Sequence, residues 1–502
     1  MKVKEKLTGF KQKAFSVNSL SFKEQLGYAG GIFGNCMGQD SIGTYADKFN
    51  RNFMGISNKL LLVKGNITTV LSFLIPPAAG ALYDAPTKPG RKSNLRKALF
   101  AAPVPFAITS LLLFIVPSSS PIFNFIWVLF FDLIFSISDT FYDIAMSALA
   151  LKILSDPKDR KNFYTLSGLA SSLGSMLPGW LIPIVVGTTD DVTRQQWLYF
   201  FVAFGFAVIG VASMYTPYMT IDEKRDFAVQ TQIKEKDKEK IKWDRKTVSM
   251  ILHNRPFVVM QLSVIFDTIR RVTYDTLPYL YDDTFGDYGM KAIIDMISGA
   301  LSYAGLLAVP FVGKKVSARN MLAGGYAYTG FFYVIMSLFN IGFDVAKMRK
   351  KRYLIGVFIG LAGMPNAAMG AARSILVADS TDYMEWYARK KYNEKLRSDG
   401  MLIAAQNIVS KAANLLKTNL YNILFTIIKY VPKDPGSKVK PVQTDSTLRG
   451  IYSIITFCGL VGNLLSALTF ALDNYDGKNR EKIFAELVEM RKADEEALPV
   501  QQ

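Results

Sequence analysis

Long apolar runs constrain the fold of this chain more than any other sequence feature. They include Ile122 to Ile134, Trp197 to Met214 and Ile451 to Leu472, and short connectors separate them. A helix of about twenty apolar residues is long enough to cross a bilayer. Pro76 and Pro77 predict a break within the second run. The runs predict an all-α membrane protein with about twelve spans, at residues 26–46, 57–83, 98–116, 122–151, 163–187, 197–217, 257–281, 292–312, 320–342, 352–377, 401–430 and 449–472.

The distribution of charge predicts how the chain is oriented. A net charge of +18 is compatible with nucleic-acid binding, but the basic residues crowd the start of the chain at 2–13 and the connectors at 88–97 and 234–246. By the positive-inside rule, these connectors and both termini are cytoplasmic. Two basic connectors, 347–352 and 433–449, fall on the other side and disagree. We therefore expect a multi-pass plasma-membrane protein that binds no nucleic acid.

A charged central connector and a short internal repeat divide the chain into two halves. The segment AMSALALKILSD ends the fourth predicted span, and AMGAARSILVAD ends the tenth. Parallel repeats of this kind are the layout of major facilitator transporters. We predict a cytoplasmic arm, a six-helix bundle, a linker, a second six-helix bundle and a cytoplasmic tail, at residues 1–25, 26–218, 219–256, 257–472 and 473–502.

The chain offers no chemistry typical of an enzyme. Cys36 and Cys458 lie in apolar segments far apart, so a disulfide or a zinc site is not indicated. The only histidine, His253, precedes the seventh predicted span, which excludes a histidine proton relay within the membrane. No nucleophile–base pair, metal-ligand cluster or phosphate loop is evident. We therefore predict no enzymatic activity, no metal and no cofactor.

Charged residues within the predicted spans indicate a polar interior. Asp132, Asp139 and Asp143 are spaced by seven and four residues, which places them on one face of the fourth span. Lys411 lies inside the eleventh span, where a lysine costs about 3 kcal/mol on insertion scales unless it faces protein or water. We expect Asp143 to be its partner across the two halves. Asn35 and Asp40 add polar groups to the first span.

The seventh predicted span carries two acids and two arginines. Asp267, Arg271 and Asp275 share a stripe, so Arg271 can be neutralised within its own helix. Arg270 is left without a partner in this scheme. A structural ion cluster and a role in holding an anionic substrate are equally compatible with it.

Two charged clusters at predicted cytoplasmic helix ends are candidate gates. Acids and bases beside a tight turn can lock two helix ends together and release them, although an ordinary basic turn is the alternative for the first cluster. The gating candidates are Asp84, Arg91 and Lys92 in one cluster, and Asp379, Asp382 and Glu385 in the other.

Four motifs make the chain similar to a known transporter family. They are GYAGGIFGN in the first span, TFYDIAMSAL in the fourth, LHNRPF before the seventh, and VADSTDYMEW followed by RSDG and QNIVSK. With these motifs the chain resembles the glycoside-pentoside-hexuronide cation symporters (melibiose permease-like) of the major facilitator superfamily. The resemblance implies two six-helix bundles that move a sugar or glycoside with a coupling cation by alternating access.

The resemblance implies roles for some residues and departs from the family at others. Asp143 falls on the family's helix-four acid, Thr140 on a hydroxyl that resembles a cation ligand, and Lys411 on the helix-eleven lysine. The remaining family positions differ: Ser72 and Pro76 replace paired acids, Cys36 replaces the sugar-gripping acid of the first helix, and Gly168 replaces an arginine.

These departures weaken the case for sodium coupling. Proton coupling is favoured because a single acid beside a lysine can titrate, whereas a sodium cage needs several oxygen ligands. Asp40, one turn from Cys36, either replaces the lost acid or pairs with Lys64.

We therefore predict a secondary transporter for a sugar or glycoside, acting as a monomer in the lipid bilayer. If Arg270 faces the cavity, an acidic sugar is favoured over a neutral one. An uncoupled uniporter and a carrier of lipids or other amphiphiles remain alternatives. The predicted substrate-binding residues are Asn35, Cys36, Asp40, Asp143, Arg270 and Lys411, and the predicted coupling residues are Asp143, Thr140 and Lys411.

Overall fold

The described part of the protein is almost entirely helical. The computed structural model describes residues 20–84, 93–153, 157–221, 245–312, 316–393, 399–432, 441–473, 475 and 477–496. Most of the predicted N-terminal arm and central linker lies outside this part. The first helices are α1 (Phe22–Asn52), α2 (Asn58–Asp84), α3 (Asn94–Ala101), α4 (Pro103–Leu112), α5 (Pro121–Ile153), α6 (Pro157–Val186), α7 (Val192–Met214) and α8 (Thr216–Thr220).

A second series of helices follows. It comprises α9 (Arg245–Leu252), α10 (Arg255–Tyr279), α11 (Gly289–Val312), α12 (Ala318–Leu338), α13 (Val345–Ala362), α14 (Asn366–Tyr392), α15 (Asp399–Ile427), α16 (Asp445–Ala471) and α17 (Gly477–Glu496), and a π-helical turn at Leu280–Thr284 continues α10.

Twelve helical segments of the described chain correspond to the predicted spans. Eight stretches of the described chain are long and apolar enough to cross a membrane: α2, α3 with α4, α5, α6, α7 with α8, α12, α13 with α14, and α16. The other four, α1, α10, α11 and α15, have bilayer length but carry Asp, Lys or Arg in their interiors. Their charged residues need protein, water or ligand around them.

The helix ends follow local capping chemistry. Ser21 and Glu24 form a reciprocal capping box at the start of α1. In the LHNRPF motif, the Asn254 side chain accepts a hydrogen bond from the backbone N–H of Phe257 and so caps α10. Helix α14 ends at Tyr392 and is capped by Asn393, whose φ of 52° places it in the left-handed region that asparagine tolerates.

Two predictions about where the membrane helices are interrupted were wrong. Helix α2 continues through Pro76 and Pro77 to Asp84, since membrane helices can satisfy the backbone groups that a proline frees. The tenth predicted span is interrupted at residues 363–365, between α13 and α14. Pro365 lies at this break, and the chain then runs on as helix to Tyr392, well past the predicted end at 377.

The chain forms two compact units. The first comprises Met1–Glu239, Asp287–Ala292 and Phe425–Gln443. Its helix α1 packs against α6, α7 and α8, while α2 packs against α5. Close contact requires glycine at Gly34, because a Cβ there would lie 2.5 Å from the Gly210 carbonyl oxygen. The missing side chain lets α1 approach α7 at backbone distance.

The second unit comprises Lys240–Gly286, Ile293–Leu424 and Thr444–Gln502. Helix α16 packs against both α10 and α12, and α14 packs against α10 and α12. A buried cluster that includes Met250, Phe257, Tyr326 and Phe470 fills the space between these helices. The polar helix α17 packs against the end of α14.

Candidate functional site

The first unit joins Asn35 of α1 to Asp143 of α5. The Asn35 Nδ2 donates to Oδ1 of Asp143 at 2.8 Å. Asn35 is buried, with 1% of its surface exposed, and its Oδ1 has no hydrogen-bond partner among the residues that the structure describes. The Asp143 side chain is exposed. A carboxylate cannot face lipid without a large free-energy cost, so this end of the pair requires water or a ligand.

The other acids of α5 also have partners from neighbouring helices. Asp139 accepts a hydrogen bond from Gln39 Nε2 at 2.7 Å, and Asp132 accepts one from the Thr68 hydroxyl at 3.1 Å. Thr140, the predicted cation ligand, is half-buried beside Asp139. The face predicted for the three acids therefore points toward α1 and α2, as their spacing requires.

Cys36 connects α1 to α6. Its Sγ lies 3.1 Å from the Ser171 Oγ. Asp40, one turn further along α1, is half-buried. Asn35, Cys36, Asp40 and Asp143 thus lie on two adjoining helices of one unit, and their joint role in binding substrate stays a prediction.

Lys64 is neutralised by acids other than Asp40. Its Nζ lies 3.1 Å from Asp47 Oδ1 and 3.7 Å from Asp132 Oδ2. The alternative that Lys64 pairs with Asp40 was therefore wrong. Asp47 was missed because nothing in its local sequence distinguishes it from a surface acid.

In the second unit, three arginines surround one buried aspartate. Asp267 is fully buried. Its carboxylate lies 2.6 Å from Arg270 Nε, 3.3 Å from Arg271 Nε and 3.2 Å from an Arg373 terminal nitrogen. Arg270 also donates to the Tyr274 hydroxyl at 2.6 Å. The expectation that Arg270 lacks a partner was wrong, because it and Arg271 share the same carboxylate.

Asp275 does not neutralise Arg271, although the two residues share one face of the helix. It forms a salt bridge with Lys417 of α15 at 2.8 Å. Lys411, two turns earlier on α15, is half-buried. The predicted pair between Lys411 and Asp143 would join residues of different units, and it stays a prediction.

Arg373 is the main residue of this cluster that sequence reasoning missed. It lies in the repeat segment AMGAARSILVAD, where it was not singled out. Besides contacting Asp267, it donates to the Tyr326 hydroxyl. The sequence did contain a signal for this residue: an arginine within an apolar run needs an acid or a ligand as its partner.

The second predicted gating cluster forms salt bridges, whereas the first lies largely outside the described residues. Arg480 of α17 clamps Asp379 through two contacts of 2.6 and 2.9 Å. Glu385 pairs with Arg389 one turn away at 2.7 Å, and Asp382 is half-buried. Arg91, Lys92 and the side chain of Asp84 are outside the described part, so this gate stays a prediction.

A buried polar network in the first unit was not foreseen. Arg51, with no exposed surface, donates from Nε to Asn58 Oδ1 at 2.7 Å. The Asn58 amide donates to the carbonyls of Phe425 at 3.3 Å and Tyr430 at 3.4 Å. The Tyr430 hydroxyl donates to Asn52 at 2.9 Å. The network ties the ends of α1 and α2 to residues far along the chain.

Sequence comparisons identify relatives over nearly the whole chain. The family model of MFS/sugar transport proteins matches residues 27–476. The isoprimeverose transporter of Lactiplantibacillus pentosus is 22% identical over 486 residues, covering 96% of this chain and 94% of the relative. The symporter YjmB of Bacillus subtilis (strain 168) is 23% identical over 445 residues, covering 87% of this chain and 88% of the relative.

Solved structures share the fold at low identity. The D-xylose-proton symporter has a TM-score of 0.59 and 13% identity, covering 89% of this chain and 97% of that structure. The nucleoside transporter NupG has a TM-score of 0.56 and 12% identity, covering 90% of this chain and all of the solved chain. These neighbours confirm the predicted all-α major facilitator fold. The family match confirms the resemblance to melibiose permease-like symporters.

Proposed function

Because the chain belongs to the MFS/sugar transport protein family, we propose that it moves a sugar or glycoside across the cell membrane together with a cation, by alternating access. It is a multi-pass membrane transporter and not an enzyme. The isoprimeverose transporter aligns with 96% of the chain, which supports a sugar as the substrate class. We further propose that the protein acts as a monomer with both termini in the cytoplasm.

The hydrogen bond between Asn35 and Asp143 is the observation that carries this proposal. A carboxylate accepts paired hydrogen bonds from the hydroxyls of a sugar, and an amide oxygen accepts one more. The Asp143 residue is exposed, and the buried Oδ1 of Asn35 has no donor among the described residues. We assign the first contacts with sugar hydroxyls to these two groups, with Cys36 and Asp40 beside them on α1.

Proton coupling through Asp143 is proposed in preference to sodium coupling. Within its own unit Asp143 accepts hydrogen bonds from the neutral amides of Asn35 and Gln39, and it forms no salt bridge with the described residues of that unit. A carboxylate inside a membrane protein that lacks a basic neighbour is stabilised by a proton or a bound cation. Thr140 and Lys411 complete the proposed coupling set.

An acidic sugar is the second candidate substrate. The sequence favoured an acidic sugar if Arg270 faced the cavity, but Arg270 is buried and donates hydrogen bonds to Asp267 and Tyr274. The excess of arginine over aspartate around Asp267 favours the acidic sugar instead.

Uptake into proteoliposomes tests the proposal. The purified full-length protein is given neutral and acidic glycosides under a proton gradient or a sodium gradient. We expect accumulation under the proton gradient. Asp143→Asn should abolish accumulation while counterflow exchange persists, and Asn35→Ala should weaken apparent affinity about fivefold through one lost hydrogen bond.

The matched control is Asp190→Asn, which removes an exposed loop acid. Accumulation driven by sodium alone would refute proton coupling. Unchanged accumulation in Asp143→Asn would remove that residue from the mechanism, and failure of every glycoside to enter would refute sugar transport.

A further inference from the structure

We propose that the second unit holds a binding site for a small oxyanion, a carboxylate or phosphate group carried by a hydroxylated ligand. A cavity of about 210 Å³ lies between α10, α14 and α15. Arg271 and Arg373 line it. Where a transported sugar carries the anion, this proposal rests on the function proposed above.

The charges around Asp267 do not balance. Three guanidinium groups share one carboxylate, which leaves two positive charges in excess. Arg271 and Arg373 form no other salt bridge with the described residues. Cations within membrane helices require a partner, because desolvation is not otherwise repaid. An anion in the cavity would supply the missing negative charge.

The two cavity-lining arginines also have unused hydrogen-bond donors. The Nε of Arg373 is buried and has no hydrogen-bond partner in the described part of the chain. Arg271 makes a single contact of 3.3 Å with Asp267, and 47% of its side chain is exposed. A guanidinium group presents a planar fork of N–H donors that matches carboxylate and phosphate geometry.

Three polar side chains of α15 add groups that recognise hydroxyls. Gln406, Ser410 and Asn414 are spaced by four residues, so they share one face, and all three line the cavity. None forms a hydrogen bond within the part of the chain that the structure describes. Amides and hydroxyls both donate and accept, as binding of a hydroxylated ligand requires.

The size of the cavity restricts the ligand. Its volume of about 210 Å³ is below the range of about 300–1,000 Å³ that is typical of sites for drug-sized molecules. A single sugar ring with one acidic group, or a smaller anion, is the ligand class that fits.

A purely structural role explains only part of the cluster. Such a role explains Arg270, because Arg270 donates hydrogen bonds to Asp267 and Tyr274 of its own helix, α10. It does not explain Arg271, since that side chain is half exposed to the cavity. Arg373 links α14 to α12 through its hydrogen bond to Tyr326, yet its buried Nε has no acceptor within the described ranges. The unpaired groups are those nearest the cavity, which favours a ligand.

Isothermal titration calorimetry on the purified full-length protein tests the site. The probes are a uronic acid, the parent neutral hexose and inorganic phosphate. We expect wild-type protein to bind at least one of the two anions, and Arg271→Gln to weaken that binding at least tenfold, where tenfold corresponds to about 1.4 kcal/mol. Arg271→Lys should retain part of the affinity, because it keeps the charge but loses the planar fork.

Arg255→Gln is the matched control. Arg255 lies on the same helix, has a single acidic partner in Asp473, and has 46% of its side chain exposed. It is sixteen residues from Arg271, or about 24 Å along the helix. Its substitution should leave anion binding unchanged. Size-exclusion profiles of all variants verify that they are folded.

The outcomes separate the sources of the anion. Tighter binding of the uronic acid than of phosphate supports a sugar-borne carboxylate, and the reverse order supports a site for phosphate groups. The proposal is overturned if neither anion binds wild-type protein, or if Arg271→Gln binds the anion as tightly as wild type does. It is also overturned if Arg271→Gln weakens binding of the neutral hexose by the same factor as binding of the anion. Because no gradient is present, this result is independent of the transport test.

Discussion

Replacing Arg480 with alanine is expected to weaken the docking of helix α17 on the end of α14 while the second unit stays folded. Arg480 contacts both oxygens of Asp379, at 2.6 and 2.9 Å. The Asp379 side chain is 6% exposed and that of Arg480 is 39% exposed. The substitution therefore leaves a nearly buried carboxylate without its cation. A second link, from Trp386 and Lys390 to Glu486, remains intact.

The free-energy cost of this substitution follows from how far the two side chains of the ion pair are buried. Removing one partner from a fully buried ion pair costs about 3–5 kcal/mol, whereas an exposed pair contributes about 0–1 kcal/mol. One side chain here is buried and the other is partly exposed. We therefore expect docking to weaken by about 2 kcal/mol, which raises the undocked population about thirtyfold.

Hydrogen–deuterium exchange of peptides from residues 477–496 measures this change. Amides of α17 should exchange about thirtyfold faster in Arg480→Ala, while those of α16 keep their wild-type rates. Lys478→Ala is the control, because Lys478 lies on the same helix and is exposed. Exchange rates in Arg480→Ala within twofold of wild type would refute the reasoning.

Three further predictions concern stability. Gly34→Ala should lower the unfolding free energy by about 1–3 kcal/mol, because the new Cβ would lie too close to the Gly210 carbonyl oxygen. Gly43→Ala is the control and should not lower it, since a Cβ at Gly43 has no neighbour within 4 Å. Equal melting temperatures for the two variants would contradict this prediction. Asn58→Ala should cost about 1–3 kcal/mol, because Arg51 Nε loses its acceptor and the carbonyls of Phe425 and Tyr430 each lose a donor. A melting temperature equal to that of the exposed-site control Lys59→Ala would count against it. Trp386 and Lys390 hold the pKa of Glu486 below its ordinary value of 4.5, so its contribution to docking of α17 is present above that pH and is lost as pH falls through the lower folded value. Exchange of α17, corrected for intrinsic rates, should show this loss in wild type but not in Glu486→Gln.

The sequence alone was sufficient to predict the class of fold. Apolar runs of bilayer length are local features, and twelve of them appear as helical segments in the described structure. Motifs such as TFYDIAMSAL were sufficient for the family resemblance. The spacing of Asp132, Asp139 and Asp143 correctly placed three acids on one face, because helical periodicity depends only on position along the chain.

Partner choice was decided by tertiary structure. Sequence spacing suggested Asp275 as a second acid for Arg271, but Lys417 of another helix binds Asp275 instead. Arg373 reaches Asp267 from α14, a contact between residues more than a hundred positions apart. A charge in a membrane protein binds whichever opposite charge the packing brings within a few ångströms, and packing depends on contacts such as that of Gly34 with Gly210. Local sequence therefore indicated which charges needed partners, and only the folded chain determined which partners they have.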